Sequence, residues 1–325
     1  MDAQQMMQEN MICRMLAGSH AYGTNIATSD VDYRGLFFAS PEYIRTPFFT
    51  VNEVLDKNEE DTKYYEVSQF LKLFIAGNPN ILELAFTDMK HVELTSDPYE
   101  LIRTTAPALL SKKVAFTFSG YAIAQLKRIR GHNKWINNPQ PVDAPVQSSY
   151  LSLVQNFTPA KIFKIDVLKY NQDHALVHYG NDIYAIYECP GQRLFNANGT
   201  LKPYVTQSEA LDSRKSPLFL MKYNKQEYNQ DHDTWKNYWN WKKNRNEARG
   251  TLEEQFGYDT KHAMHLVRLL NMGEEILSTG QVNVLRPDAQ HLLDIRGGKL
   301  TYEEVVEFAE AKDAHIREVL YKTTD

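Results

Sequence analysis

Over residues 1 to about 110, short apolar runs of strand type alternate with apolar positions at helical spacing. This predicts interleaved α and β elements. The first dozen residues pattern as a helix, and MICRMLAGS reads as its end or as a short buried strand. Residues 31–38, VDYRGLFF, have strand composition. Ser40 and Pro41 suit the N-cap and first position of a short helix, PEYIR. TKYYEV, 62–67, is a second strand. Phe70, Leu71, Phe74 and Ile75 then recur at helical spacing, Gly77-Asn78-Pro79 stops that helix, and another runs over 80–86.

Residues 111–136 pattern as a helix, and 137–147, NNPQPVDAPVQ, carries three prolines in eleven residues, the mark of a boundary. Between 160 and 220 the period changes. IFKIDVL, ALVHYG and DIYAIYEC are short β-type runs, and LFNANGTLKPY holds an Asn-Gly turn signal. From about 225 the chain is helical again, and Thr301-Tyr302-Glu303-Glu304 is a capping-box pattern. The expected fold is α/β of the α+β kind. It has a core at 1–110, a basic helix and Pro-rich linker at 111–147, a small, mostly antiparallel β insertion at 148–225 and a helical part at 226–325.

Hydrophobic residues make up 42% of the 325 and charged residues 24%, enough to bury real cores. The net charge is −5, so any binding of nucleic acid needs a local basic patch. Cys13 and Cys189 are the only cysteines, which excludes a disulfide framework or a four-cysteine zinc site and suits the cytoplasm. The N-terminus has no signal-peptide apolar region, and no run approaches the roughly 20 apolar residues of a membrane span.

The candidate chemistry lies in GSHAYGTNIATSDVDYRG, residues 18–35. At the head of a strand, Asp30 and Asp32 share one face while Val31 takes the other. Two adjacent carboxylates repel unless a cation lies between them, and hard dications such as Mg²⁺ bridge carboxylates to substrate phosphates. Gly18-Ser19 lets backbone approach a phosphate closely, and a helix starting there would turn free N–H groups toward it.

An apolar segment, Gly-Ser, a spacer and Asp-apolar-Asp at the head of a strand together resemble the nucleotidyltransferase superfamily of DNA polymerase beta. GNPNILELAF (77–86), RIRGHNKW (128–135), GYDTKHAMHLVRLLNMGEEIL (257–277) and the 286–298 run extend the likeness. They point to the predicted nucleotidyltransferases of bacteria and phages that are associated with RNA repair. The resemblance implies a polymerase-beta-like core with a mixed sheet, an NTP substrate and Mg²⁺ or Mn²⁺ held by Asp30, Asp32 and a third carboxylate. It also implies a nucleotide site around Gly18, Ser19, Tyr22 and Gly23. Three acids can supply the third carboxylate: Asp61, Glu66 and Glu83. If the second strand runs parallel to the first, Asp61 lies nearest; if antiparallel, Glu66 does. Asp61 is the first choice and Glu66 the alternative, while Glu83 serves equally as the buried partner of a cation.

Charge adds two further expectations. Residues 101–142 contain seven Lys or Arg and no Asp or Glu, and Lys127, Arg130 and Lys134 share a helical face suited to a nucleic-acid backbone. Lys261, His265 and Arg268 form a stripe on an otherwise apolar helix. With Arg34 they are expected to meet the triphosphate, the helix folding back over the N-terminal core. His262 and His265 lack a third zinc ligand on their own helix. Trp235, Tyr238 and Trp239 read first as a buried stripe and second as a base-stacking surface. The expected reaction moves an NMP to an acceptor hydroxyl with loss of pyrophosphate. A nucleic acid (an RNA end or tRNA) is the preferred acceptor. A protein-modifying transferase and a non-catalytic nucleotide- or nucleic-acid-binding protein are the alternatives.

Overall fold

Buried Ile12, Cys13 and Met15 on β1 (Met11–Leu16) and buried Gly35, Leu36 and Phe37 on β2 (Tyr33–Phe37) set these strands inside the first sheet. The computed structural model describes residues 2–45, 50–57, 59, 61–154, 162–164, 167–204, 216–245 and 247–324. Among them, β3 (Glu53–Leu55), β4 (Lys63–Glu66) and β5 (Val92–Leu94) complete a sheet of order β3-β4-β2-β1-β5. β1 runs antiparallel to β2 and to β5, and β3 antiparallel to β4. β2 and β4 are parallel, Arg34 facing Lys63 and Phe37 facing Glu66, so the sheet is mixed. Gly35 is required at its centre, because a Cβ there would collide with the Cys13 carbonyl and the Tyr64 ring.

The helices supply the other layer. α1 (Ala3–Glu9) precedes the sheet, α2 (Gly18–Tyr22) joins β1 to β2, and α3 (Pro41–Ile44) lies in the crossover to β4. α4 (Val67–Ile75), α5 (Pro79–Phe86) and α6 (Asp97–Thr105) follow β4. α7 (Val114–Asn137) buries Val114, Ala115, Phe118, Ala122, Leu126 and Ile129. Those residues share one core with Leu36, Phe70, Ile81, Leu266 and Leu270.

The chain divides into two compact units, Met1–Asn137 with Asn246–Asp325, and Asn138–Arg245. The wide apolar face of α7 makes it a core helix of the first unit rather than part of a linker, and the break falls where the prolines begin. In the first unit the chain continues through α9 (Glu247–Phe256), α10 (Thr260–Thr279), α11 (Ala289–Arg296) and α12 (Tyr302–Ala314). The capping box of α12 forms in both directions: Glu304 N–H donates to Thr301 Oγ1 at 3.2 Å and Thr301 N–H to Glu304 Oε2 at 2.7 Å.

In the second unit β6 (Leu151–Val154), β7 (Ile162–Lys164), β8 (Gln172–Gly180), β9 (Ile183–Arg193), β10 (Pro203–Tyr204) and β11 (Phe219–Tyr223) form a sheet of order β10-β8-β9-β11-β6-β7. All its pairings are antiparallel except β10 with β8. Residues 165–166 of the expected IFKIDVL strand lie outside the described residues. α8 (Lys225–Lys243) belongs to this unit. Its Tyr238 is buried, and Trp235 and Trp239 donate their indole N–H groups to the Pro141 carbonyl at 3.0 and 2.9 Å. That aromatic stripe therefore holds the Pro-rich segment. Among the described residues no helix is long and apolar enough to cross a membrane.

Candidate functional site

At the end of β1 the Ala17 N–H donates to the Asp32 carbonyl at 2.8 Å, which ties the Gly-Ser turn to the aspartate loop. α2 begins at Gly18, whose φ of 58° suits glycine. A Cβ on Gly18 would run into the Asp32 carboxylate. Gly23 closes α2 in the left-handed region, φ 71°. Substituting Gly18→Ala should displace the Asp32 carboxylate and strain the turn. The expected result is at least a tenfold loss of any nucleotide transfer, read from initial rates, with a cooperative melt retained.

Asp30, Val31 and Asp32 lie in the loop that enters β2, and Asp61 lies in the turn before β4 with φ 57°. The parallel register pairs Arg34 with Lys63, so two residues earlier Asp32 and Asp61 stand level at the strand entrances. Burial pushes the Asp32 carboxyl above its ordinary range; Arg34 opposes this, and the charges of Asp61 and Asp30 add to it. The Arg34 guanidinium donates to the carbonyls of Asp61 and Tyr33.

Two of the three candidate acids are engaged elsewhere in this geometry. Glu66 stands at the opposite end of β4, where it caps α4. Its Oε2 accepts from the N–H groups of Ser68 at 2.7 Å and Gln69 at 3.3 Å, so its carboxylate is engaged away from Asp30 and Asp32. Glu83 is the buried partner of a cation: its Oε1 pairs with Arg268, and its Oε2 accepts from the Tyr22 hydroxyl at 2.5 Å. The Arg268 guanidinium lies 3.8 Å from the centre of the Tyr22 ring. Arg268 and Tyr22 therefore hold α10 to α2 and α5, and the Arg268 charge is answered within the core.

Two cavities adjoin at this place. One of about 310 Å³ is lined by Gly18, Tyr22, Asp32, Arg34 and Lys63 among others. The other, about 910 Å³, shares Gly18, Tyr22 and Asn80 with it and carries Arg128, Lys261, His262 and His265 on its wall. Ser19 and Gly23 line neither cavity; the Ser19 carbonyl accepts from Thr24 N–H at 2.9 Å. Lys63 and Arg128 were missed as site residues. The sequence carries no signal for Lys63, whose place follows from its parallel pairing with Arg34, and the signal for Arg128 is its place on the same helical face as Tyr121 and Ala124. Lys127, Arg130 and Lys134 lie on the exposed side of α7, with Arg130 paired to Glu310 at 2.6 Å.

His265 carries no charge at neutral pH. Burial, reinforced by Arg268 and Lys261, lowers its pKa to about 3. Of the expected stripe, Lys261 and Arg268 are thus the charged side chains that line the larger cavity, and Arg268 is already paired with Glu83. An unfolded histidine binds a proton near pH 6.5, whereas His265 in the fold resists doing so. Stability should therefore be full above about pH 6.5 and fall as pH drops toward 3, by up to about 1.4 kcal/mol per pH unit for this one group. Denaturant titrations across that window should show a shallower loss for His265→Gln.

No curated protein and no solved structure matches the chain. Residues 2–138, the stretch that holds Gly18, Asp30, Asp32, Asp61, Lys63 and Arg128, match the family model RlaP, the RNA repair pathway DNA polymerase beta family, which supports a nucleotidyltransferase-type function.

Proposed function

We propose that the chain is a divalent-cation-dependent nucleotidyltransferase that moves an NMP from an NTP to an acceptor hydroxyl and releases pyrophosphate. The observation that carries this reading is the meeting of Asp32 with Asp30 and Asp61 at the edge of a cleft that also presents Arg34, Lys63, Arg128 and Lys261. The three carboxylates fit a hard dication: they are oxygen donors, and burial, with the charges of Asp61 and Asp30 adding to it, raises the Asp32 carboxyl, a penalty that a bound cation would offset. Mg²⁺ or Mn²⁺ bound there would activate the attacking hydroxyl and stabilise the leaving pyrophosphate. Gly18 leaves the space that a side chain would take from Asp32. Lys261 and Arg128 offset triphosphate charge on the cleft wall, and Arg34 orients the Asp61 backbone.

The preferred acceptor is a nucleic acid, more particularly RNA. Support comes from the acid-free segment 101–142, from the exposure of Lys127 and Lys134, and from the RNA-repair description of the matched family. If these lysines and their neighbours cover about three phosphates, RNA affinity should fall roughly twentyfold between 50 and 200 mM salt, as filter binding would measure. A second reading, modification of a protein hydroxyl, is favoured by the net charge of −5. The deciding experiment incubates the purified protein with each labelled NTP, Mg²⁺ or Mn²⁺, and RNA, DNA and protein acceptors. Label on RNA supports the first reading and label on protein the second. No transfer from any NTP overturns both.

A further inference from the structure

Beside the larger cavity lies a buried group that the proposed reaction leaves unused. His132 of α7 places Nδ1 3.5 Å from Glu253 Oε1 on α9 and 3.7 Å from Asp259 Oδ2, just ahead of α10. These three donor atoms all lie within 4.8 Å of one another, and Glu253 and Asp259 are each only 2% exposed. Asp259 caps α10 through Oδ1, which accepts the His262 N–H at 2.9 Å. Its other oxygen, Oδ2, is 2.6 Å from His262 Nδ1. The two atoms pair with each other, and neither has another hydrogen-bond partner among the described residues.

We infer that His132, Glu253 and Asp259 form a binding site for a divalent transition-metal ion of the zinc class, separate from Asp30, Asp32 and Asp61. One imidazole and two carboxylates are donors that suit Zn²⁺, whereas a Mg²⁺ site would be built from oxygen alone. Ligands about 2.0–2.1 Å from a tetrahedral ion stand roughly 3.3 Å apart, close to the two separations from His132. His262 then orients the Asp259 carboxylate from outside the ligand set, the part commonly played by a neighbour of a metal-bound group. The three ligands come from α7, α9 and the entry to α10, so the ion joins the helices that carry Arg128 and Lys261 on the cleft wall. Local helix patterning could not reveal the site, because its ligands are far apart in sequence and only Asp259 and His262 are neighbours.

The full chain, stripped with a chelator, is reloaded with Zn²⁺ alone and dialysed. Its metal content is measured beside those of His132→Ala, His132→Gln, Glu253→Gln and Asp32→Asn. The expected result is about one equivalent of zinc in the wild type and in Asp32→Asn, less than a tenth of that in the other variants, and a higher melting temperature on reloading only where zinc is kept. His132→Gln and Glu253→Gln keep the test decisive if His132→Ala fails to fold. Absence of zinc from the reloaded wild type, or equal zinc in the His132 and Glu253 variants, overturns the inference. Loss of zinc from Asp32→Asn overturns it too, by assigning the ion to the aspartate group. Nucleotide transfer is not read in this experiment, so its outcome is independent of the proposed reaction.

Discussion

Asp32→Asn should lower nucleotide transfer by at least about two to three orders of magnitude and should raise the melting temperature of the metal-free protein. The first effect follows from replacing an ionised oxygen ligand with a neutral amide where the charge of the transferred phosphoryl group must be balanced. The second follows from the raised Asp32 pKa. Between its unfolded and folded values the native state holds more protons than the unfolded chain, so stability falls as pH rises through that window. Above that window the charge of the buried Asp32, beside Asp30 and Asp61, weakens the fold, and the amide removes that charge. Single-turnover rates test the first effect, and melts at pH 4 and pH 7.5 test the second. The gain from Asn should be present at pH 7.5 and small at pH 4. A variant that transfers nucleotide at the wild-type rate would overturn the assignment of Asp32 to the metal site.

The parts of this site that could be read from sequence are those set by short-range spacing. Gly18 and Asp32 lie within fifteen residues of one another, and glycine conformation and the Ala17–Asp32 hydrogen bond act over such distances. Asp30 and Asp32 precede β2, however, and strand periodicity does not set their face. The third carboxylate could not be chosen that way. Asp61 and Glu66 sit at opposite ends of one short strand, and which end approaches Asp32 depends on strand direction. That direction is fixed by the crossover through α3 and not by either strand's composition. Lys63 enters the cavity through the same pairing. The basic count over 101–142 obscured α7 in a different way, because long cationic side chains on one side of a helix do not prevent a buried stripe on the other. Phe118, Leu126 and Ile129 set its place in the core. The metal cluster at His132 combines three helices, and nothing in the pattern of any one of them signals it.

Arg268→Ala should cost about 3–5 kcal/mol, the usual effect of removing one member of a buried ion pair, and lower the melting temperature by roughly 6–20 °C. From the sequence, Arg268 belonged with Lys261 as a contact to triphosphate, and its loss would then have weakened NTP affinity about tenfold without touching the fold. The structure places it on the cavity wall and also in a buried ion pair. Arg268 is 4% exposed, pairs with Glu83 and lies against the Tyr22 ring, so truncation leaves a buried carboxylate without its cation. Glu83→Gln should be destabilising for the converse reason, since the guanidinium remains buried beside a neutral amide. The paired change Arg268→Met with Glu83→Leu removes both charges together and should recover most of the loss, because a well-packed apolar pair escapes the desolvation penalty of two ions. A double-mutant cycle on unfolding free energies measures this coupling, expected at about 2 kcal/mol or more. Lys261→Ala is the control on the same helix. It lines the open cleft and should reduce NTP affinity about tenfold while leaving the melting temperature within a degree or two of wild type. If Arg268→Ala instead melts like wild type and binds NTP as weakly as Lys261→Ala, the buried pair is not what holds α10 against α5.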